Sequence, residues 1–489
     1  MNENRLIKEE KQFDGEVSTR RGPPNRMNDL SYKEWMRFQK SFFRHTSFSD
    51  LIQECVHFFT KGIWPDGNSS RSLIVGFEDP PYIGTPRQVE NLSANSIDEI
   101  QQVLHKKSGK YDFIFVNLYS CLRTEMELEE FLKSSDVFFK SLHKIMAPDR
   151  YCGLVVGMPT ERGAVFPIPW SVALASRNRF RLRDEKIGLI EGTGQTYYCI
   201  FLQAQQDERQ AVTFSPGSIE LADEILNIPT WIIPRPPPRK KHEMLHPAKF
   251  PETLVTEFIE LFSKHGDTVF DPMSGTGSAI LAAVRSQRNA VGVELMQDFV
   301  NIAQRRLAEE YPNVLFEEMR PSAWWKILQG DATKLEQVQQ LSGMQFEYCV
   351  TSPPYWSMLT SRGSEGQEAR RKRNLPLVYS DDERDLGNIQ DYDRFLDILT
   401  DVYDDVANRL VTGGYLTVIV KNVKRRHVIY PIAADLVTRL SRKGGKYQFA
   451  GLTLWCQDDV KVKPFAVGIY WVSNTLHQYC LHFKKKALV

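Results

Sequence analysis

Residues 268–277 of the chain read TVFDPMSGTG, residues 278–287 read SAILAAVRSQ, and residues 290–294 read AVGVE. The first stretch predicts a short apolar strand that ends at Asp271 and leads into a glycine turn. The second predicts a helix, and the third predicts another strand, which ends at Glu294. This order is the nucleotide-binding arrangement of doubly wound sheets. We therefore predict an α/β fold with a mostly parallel sheet flanked by helices.

The glycine turn narrows the class of ligand without fixing it. Glycines let the backbone approach a bound nucleotide, and the carboxylate of Glu294 can bind two ribose hydroxyls. No Lys-Ser or Lys-Thr follows the turn, which excludes a P-loop. A dinucleotide and S-adenosylmethionine both remain compatible with it, and so does a purely structural connection between strand and helix.

A second motif, TSPPYW at residues 351–356, follows a predicted buried strand at residues 348–350. Its two prolines end the strand, release backbone carbonyls and form a rigid polar corner. An exocyclic amine on a base is a poor nucleophile, because its lone pair is delocalised into the ring. Acceptors on its two protons, here the Ser352 hydroxyl and the Pro353 carbonyl, would localise that pair for attack on a sulfonium methyl. Tyr355 would supply an aromatic face for an extruded base. A mere strand terminator is the alternative.

Together the turn and the corner resemble the amino-methyltransferases of DNA, whose motif is Asp, Asn or Ser followed by Pro-Pro and an aromatic residue. The Ser form in this context is similar to the cytosine-N4 branch. The resemblance extends from His246 to about Lys484. It implies a Rossmann-like methyltransferase fold with S-adenosyl-L-methionine as the cofactor. The implied partner is double-stranded DNA with one base flipped out.

The same resemblance implies a role for individual residues. The catalytic tetrapeptide corresponds to Ser352, Pro353, Pro354 and Tyr355. The implied cofactor-binding residues comprise a lead-in, the glycine turn, the ribose acid and an acid near the adenine: Lys249, Phe250, Pro251, Asp271, Met273, Ser274, Gly275, Thr276, Gly277, Glu294, Leu295, Asp331 and Ala332. No metal site is implied.

A weak internal repeat indicates that the front of the chain has a related build. Matching blocks predict a buried strand, an amphipathic helix with a further strand, and a last strand. They begin at Tyr111 and Phe346, at Phe131 and Phe395, and at Tyr197 and Gln478. Two unrelated α/β segments are the alternative interpretation, because each block is degenerate.

We divide the chain at its composition breaks. The predicted parts are a polar tail and lead-in helix (1–45), a degenerate methyltransferase-like region (46–232), a proline-rich linker (233–241) and a catalytic domain (242–489). The polar insertion 357–390 and the stretch 207–231 are candidates for target recognition.

One feature departs from the family. In many relatives with this lead-in the tetrapeptide precedes the cofactor turn, whereas here it follows. The upstream counterpart, Asn117-Leu118-Tyr119, has neither proline. A duplication or permutation that left an inactive front half explains both observations. We expect that half to serve as scaffold or to contact DNA, with its first candidates for phosphates being Arg177, Arg179, Arg181 and Arg183.

Composition places few limits on the partner. The chain has 489 residues and a net charge of +1, so any polyanion would have to bind at local patches. Such patches begin at Arg235, Arg370 and Lys421. The seven cysteines are scattered without a C-x-x-C, which favours a reducing cytoplasm. No apolar run is long enough for a membrane span, and the start is too polar for a signal peptide.

Three further patterns suggest chemistry that we do not favour. His242-Glu243-Met244-Leu245-His246 spells a zinc motif, but the neighbouring prolines make the required helix improbable. Asp79-Pro80-Pro81-Tyr82 spells the catalytic motif of the adenine branch without a glycine turn before it. It remains a candidate for a second site or a base-contacting corner. Cys349 is expected to be a buried strand residue, because amine methylation needs no covalent adduct.

The leading functional hypothesis is methylation of cytosine N4 in DNA at a specific sequence, in a restriction-modification or host-defence setting. One alternative keeps the chemistry and changes the target to adenine N6 or to an exocyclic amine in RNA. The other is a non-catalytic nucleic-acid-binding subunit that retains a cofactor pocket. The set Asp271, Glu294, Asp331 and Ser352 is intact, which argues against this last possibility.

Overall fold

In a computed structural model, the chain forms two compact units. One consists of residues 1–158, 168–213 and 460–476, and the other of residues 159–167, 214–459 and 477–489. The structure describes residues 27–157, 160–161, 164–165, 168–193, 195–204, 219–222, 228–229, 231–233, 250–311, 322–356, 382–425, 428–457, 462, 471 and 473–487.

Five of the described α-helices begin where a polar side chain accepts a backbone N–H, among them those capped by Ser47, Ser96, Thr124 and Asp391. Each longer helix turns one apolar face toward a sheet. They are α1 (Tyr32–Arg37), α2 (Phe48–Phe59), α3 (Ile97–Lys106), α4 (Glu125–Ile145), α5 (Ile168–Ala175), α6 (Glu252–Phe262), α7 (Ser278–Arg285), α8 (Gln297–Glu310), α9 (Tyr392–Arg409) and α10 (Ile432–Leu440).

The central strands are continuous apolar runs, as expected for strands covered on both faces. The strands of the described residues are β1 (Phe42–His45), β2 (Arg71–Val75), β3 (Gln88–Leu92), β4 (Tyr111–Asn117), β5 (Met146–Gly157), β6 (Thr160–Glu161), β7 (Ala164–Val165), β8 (Arg181–Ile190), β9 (Gln195–Gln203), β10 (Trp231–Ile232), β11 (Thr268–Asp271), β12 (Asn289–Glu294), β13 (Trp325–Gln329), β14 (Phe346–Thr351), β15 (Leu410–Val420), β16 (Val423–Arg425), β17 (Val428–Tyr430), β18 (Tyr447–Cys456) and β19 (His477–Lys485).

The described strands of the first unit form a seven-stranded sheet in the order β1-β8-β9-β5-β4-β2-β3. Strand β9 runs antiparallel to both of its neighbours, and the other pairs are parallel. The core on one face is largely aromatic and includes Phe59, Phe113, Phe201 and Trp471.

Eight of the described strands of the second unit form a sheet in the order β10-β18-β19-β15-β14-β11-β12-β13, and the pairs β6-β7 and β16-β17 each form a separate two-stranded sheet. Here β19 is the strand antiparallel to both neighbours. Helices α6 and α7 pack their apolar faces into the core of this sheet. The parallel strands β11 to β15 therefore present their carboxyl ends along one edge.

The two sheets share their topology and their register. Tyr151 of β5 pairs with Phe113 of β4, and Tyr415 of β15 pairs with Tyr348 of β14. Counting along these ladders matches β2, β4, β5 and β9 to β11, β14, β15 and β19. Both pairs β4–β5 and β14–β15 also carry an irregularity at their start. The predicted α/β class, with a related but degenerate front half, is confirmed.

The units differ from the sequence-based division at two places. Residues 27–45, predicted as tail and lead-in, contribute β1 to the first sheet and bury Trp35 and Phe38 in its core. The described residues 471 and 473–476, predicted as part of the catalytic domain, belong to the first unit. The reason is Trp471, which is fully buried among aromatic rings, with its centroid 5.0 Å from that of Phe58.

The arginines proposed for phosphate binding do not form an exposed row. Arg177 and Arg183 are buried, and Arg183 donates to the Trp471 carbonyl at 3.3 Å. Arg179 pairs with Asp136 at 2.8 Å. The prediction is therefore wrong for Arg177 and Arg183. Strand β8 begins at Arg181, and the side chains of Arg177 and Arg183 are buried in the protein and not exposed to DNA. Among the described residues, no helix has the length and apolar character to cross a membrane.

Candidate active site

The carboxyl ends of β11, β12, β13 and β14 surround one cavity in the second unit. It has about 900 Å³ of atom-free space, part of it open to solvent. Its lining combines the residues that follow these strands with a segment that precedes α9. The lining residues are Phe250, Pro272, Met273, Ser274, Gly275, Thr276, Ser278, Glu294, Leu295, Met296, Phe299, Asp331, Ala332, Thr333, Ser352, Pro353, Pro354, Arg384, Asp385 and Leu386.

The turn between β11 and α7 needs its glycines. Gly275 and Gly277 have φ values of 51° and 78°, a region that side chains disfavour. A Cβ on Gly277 would lie 2.9 Å from the Cβ of Ala303 in α8. Only glycine therefore lets α7 start this close to α8.

Glu294, at the end of β12, is held against this turn. One carboxylate oxygen accepts the N–H of Gly275 at 2.8 Å, and the other accepts the N–H of Met296 at 2.9 Å. The side chain is nine-tenths buried, and this burial raises its pKa. The carboxylate is thus preorganised at the cavity wall, where it can accept donors from a ligand.

Asp271 lies outside the cavity lining and joins two parts of the site. Its Oδ1 accepts the N–H of Met273 at 3.1 Å and the hydroxyl of Thr351 at 2.7 Å. Burial raises its pKa to about 7. One buried oxygen therefore connects the glycine turn to the strand end that carries Ser352.

Some residues of the proline corner line the cavity, and others are buried behind it. Ser352, Pro353 and Pro354 line the cavity. Tyr355 is buried outside the lining, and its hydroxyl donates to Gln478 at 2.5 Å. Burial raises the Tyr355 pKa to about 12. Trp356 is also buried, with its ring centroid 4.5 Å from that of Tyr430. The expected aromatic face of Tyr355 is thus packed into the protein.

The remaining predicted cofactor residues fall into three groups. Those that line the cavity are Phe250, Met273, Ser274, Gly275, Thr276, Glu294, Leu295, Asp331 and Ala332. Pro251 and Gly277 stand beside the lining as the residues that cap α6 and α7. Lys249 and the His242–His246 motif lie outside the described residues. Within the described part, no group of side chains has the makings of a metal site.

Sequence reasoning missed the segment Arg384-Asp385-Leu386, which lines the cavity. Asp385 caps a short 3₁₀ helix, Leu386–Asn388, and accepts the Gly387 N–H at 2.8 Å. Asp-Leu-Gly-Asn predicts a polar turn, but no periodic pattern connects it with residues more than a hundred positions earlier. The sequence places this segment only within the polar insertion 357–390.

Several buried polar atoms at the site have no hydrogen-bond partner within the described part of the chain. They are Oδ2 of Asp271 and the hydroxyls of Ser274 and Ser278. Both serines line the cavity. Buried polar atoms are normally satisfied, so these atoms are suited to a polar ligand. Phe250 and Phe299 add apolar lining. An adenosine-containing ligand such as S-adenosylmethionine fits this combination of hydroxyls, carboxylates and rings.

The corresponding edge of the first unit has lost this chemistry. When the strand ladders of the two sheets are aligned, Ile74 of the first unit occupies the position of Asp271 in the second. Ser93 occupies the position of Glu294. Phe77 is buried after β2 and stacks on Phe115, with centroids 5.3 Å apart. Asn117, at the position of Ser352, donates to the Gly76 carbonyl at 2.9 Å. Aromatic rings thus take the place of the polar turn.

The motif Asp79-Pro80-Pro81-Tyr82 also lies at this edge, but after the wrong strand for catalysis. It follows β2, the counterpart of the cofactor strand, whereas Ser352 follows β14. Tyr82 is 90% exposed. Cys349 is fully buried within β14, as expected.

The mostly parallel sheet and the cavity at its carboxyl edge define the class of the protein as a Rossmann-like α/β fold with a ligand cavity. Among solved structures, the 16S rRNA methyltransferase RsmC of T. thermophilus is similar at 14% identity and a TM-score of 0.26. The alignment covers 90% of this chain and 91% of that one.

The model of the DNA methylase family matches residues 77–305 of the chain. That stretch includes the glycine turn and Glu294 and ends before Ser352. The family's cofactor is S-adenosylmethionine. The orphan methyltransferase M.BamHII of Bacillus amyloliquefaciens is 40% identical over 62 residues, 13% of this chain and 23% of that protein. The Type II methyltransferase M.ScaI of Streptomyces caespitosus is 24% identical over 212 residues, 38% of this chain and 69% of that protein.

Proposed function

We propose that this protein transfers a methyl group from S-adenosylmethionine to the exocyclic N4 amine of cytosine in double-stranded DNA. The observation that carries the proposal is one continuous cavity that runs from the glycine turn and Glu294 to Ser352 and Pro353. The family and the Type II relatives support DNA as the substrate. A sequence-specific enzyme of restriction-modification or host defence, working in the cytoplasm, fits these relatives.

The chain's own groups would act on the target amine by position and charge. When bound, the cofactor supplies a methyl group on a positively charged sulfur. Pro353 and Pro354 end the ladder at β14, so the carbonyl of Pro353 is available beside the Ser352 hydroxyl. Both oxygens can accept the amine protons, which localises the nitrogen lone pair toward the methyl group. Glu294 and the turn fix the other end of the cavity.

Cytosine is favoured over adenine because the motif begins with Ser352, as in the cytosine-N4 branch that it resembles. Adenine N6, or an exocyclic amine in RNA, uses the same geometry and is the second candidate. The non-catalytic alternative is disfavoured by the joint presence of Glu294, Asp331 and Ser352 around one cavity. A lapsed enzyme has no need to retain all three.

The DNA backbone is proposed to bind near Lys421 and Lys424. Strands β14 and β15 are parallel, so Lys421, directly after β15, emerges at the same edge as Ser352. Burial and the charge of Lys424 lower the Lys421 pKa to about 8. A phosphate would relieve this repulsion between like charges. Target recognition is proposed for the insertion at 357–390, of which residues 357–381 lie outside the described part of the chain. One base is proposed to flip out of the duplex, because Ser352 and Pro353 line a cavity that a paired base cannot enter.

Substitution of Ser352 tests the proposal directly. We expect Ser352→Ala to slow methyl transfer to DNA about 100-fold or more, because one positioned acceptor is lost. Binding of S-adenosylmethionine should change little. Ser342→Ala, an exposed serine outside the cavity lining, is the matched control. If Ser352→Ala transfers labelled methyl at the wild-type rate, the catalytic corner is misassigned.

A further inference from the structure

Two buried carboxylates from distant parts of the chain line the same cavity. Glu294 is the last residue of β12, and Asp385 belongs to the segment that precedes α9. Their exposures are only 9% and 5%. Each is fixed by backbone N–H groups: Glu294 by Gly275 and Met296, and Asp385 by Gly387 at 2.8 Å. Neither can easily turn away from the cavity.

A buried carboxylate is stabilised by hydrogen-bond donors around it, and a ligand in the cavity can add donors to those that the backbone supplies. After burial itself and two backbone hydrogen bonds, the charge of Asp385 is the next influence on Glu294, and it raises the Glu294 pKa further. The carboxylates are thus close enough to repel. The Ser274 and Ser278 hydroxyls line the same cavity, are more than nine-tenths buried and lack a partner among the described residues. The site is therefore arranged for a ligand that brings hydrogen-bond donors.

We propose that Asp385 is a second ribose-binding carboxylate, which holds the sugar of S-adenosylmethionine together with Glu294. A ribose has two vicinal hydroxyls, and each can donate to one carboxylate. The assignment rests on the proposed function for the identity of the cofactor. It goes further by making the segment Arg384-Asp385-Leu386 part of the cofactor site.

The same carboxylate could in principle meet the ammonium group of the methionine part, so the test must separate the two. 5′-Methylthioadenosine contains the ribose but no ammonium group, whereas S-adenosylhomocysteine contains both. A ribose contact affects the binding of both compounds, and an ammonium contact affects only the second. Because binding needs no DNA, this measurement is independent of whether the protein methylates DNA.

The experiment is calorimetric titration of the full-length wild type and Asp385→Asn with both compounds. Asparagine caps helices as well as aspartate does, so the local fold should persist. We expect Asp385→Asn to weaken the binding of both compounds about 10-fold or more, because a charge-assisted hydrogen bond to the ribose is lost. The control is Asp391→Asn, an exposed cap of α9 that accepts the Arg394 N–H at 2.7 Å and should bind as wild type.

Three outcomes overturn the assignment of Asp385. Unchanged affinity for both compounds removes Asp385 from the site, and a loss confined to S-adenosylhomocysteine moves it to the ammonium group. A wild type that binds neither compound contradicts the proposed function as well. A wild type that binds both but does not methylate DNA contradicts the proposed function alone.

Discussion

Thr351, the first residue of TSPPYW, connects the two halves of the site through its hydroxyl group. It is fully buried and donates to Asp271, whose same oxygen holds the backbone of the glycine turn. Thr351 thus fixes the distance between the strand end that carries Ser352 and the turn that would hold the cofactor. Small displacements between a nucleophile and a methyl donor cost rate, so this is a positioning residue.

Thr351→Val keeps the volume of the side chain and removes the hydrogen bond. We expect methyl transfer to slow about 10-fold, the effect of one lost buried hydrogen bond, while the affinity for S-adenosylmethionine stays within about 2-fold. Thr351→Ser restores the hydroxyl and should restore the rate. Steady-state kinetics with calorimetry separate the two effects. Equal rates for the valine and serine variants would show that the hydrogen bond has no part in positioning.

For individual residues, the sequence predicts which ones surround the cavity. It predicts less well which groups each of them contacts. Glu294, Asp331 and Ser352 follow different parallel strands, and such strand ends necessarily meet along one edge. Tyr355 and Asp385 were not accessible to this reasoning. Whether a ring lines a cavity or packs against Gln478 depends on neighbours far along the chain, and so does the return of a loop to the site.

Among the elements, the glycine turn is the most constrained connection of the site. Gly277 caps α7 with a positive φ and meets Ala303 of α8. The packing of α7 against α8 and the position of Thr276 and Ser278 on the cavity wall thus depend on one missing side chain. This dependence can be tested against a glycine that has the same backbone but an open surrounding.

Gly277→Ala and Gly343→Ala form that comparison. Both residues have positive φ, 78° and 74°, but nothing lies within 4 Å of a Cβ at Gly343. Both variants pay for backbone strain, and only Gly277→Ala adds an overlap with Ala303. We expect it to lose about 1–3 kcal/mol more unfolding free energy in denaturant titrations, together with cofactor affinity. Equal losses in both variants would contradict this account of the turn.

At the scale of the whole molecule, two sheets of the same topology differ at the edge that matters. The second retains a polar turn, carboxylates and a proline corner, whereas the first has Ile74, Ser93 and buried rings there. The periodic apolar strands and the repeat were sufficient to predict this fold. The boundaries were harder, because the burial of Trp471 in the first unit depends on tertiary packing and leaves no local pattern.

The loss of these groups supports the proposal that the front unit is a scaffold and not a second active site. Arg177 and Arg183 are buried and Arg179 pairs with Asp136, so the front unit's proposed contribution to DNA binding no longer rests on these three residues. Asn117 takes the position of Ser352 but is engaged with Gly76 and Tyr119. Chemistry is therefore expected from the second unit alone.

Mass spectrometry of nucleosides from DNA of cells that express the protein tests the central claim most directly. In a host without its own cytosine-N4 methylation, the wild type should introduce N4-methyldeoxycytidine. Asn117→Ala should do so equally, because the front edge is not catalytic, and Ser352→Ala should not. N6-methyldeoxyadenosine as the sole product, or no modified base at all, would contradict cytosine-N4 methylation, and loss of the product in Asn117→Ala would contradict a single active site.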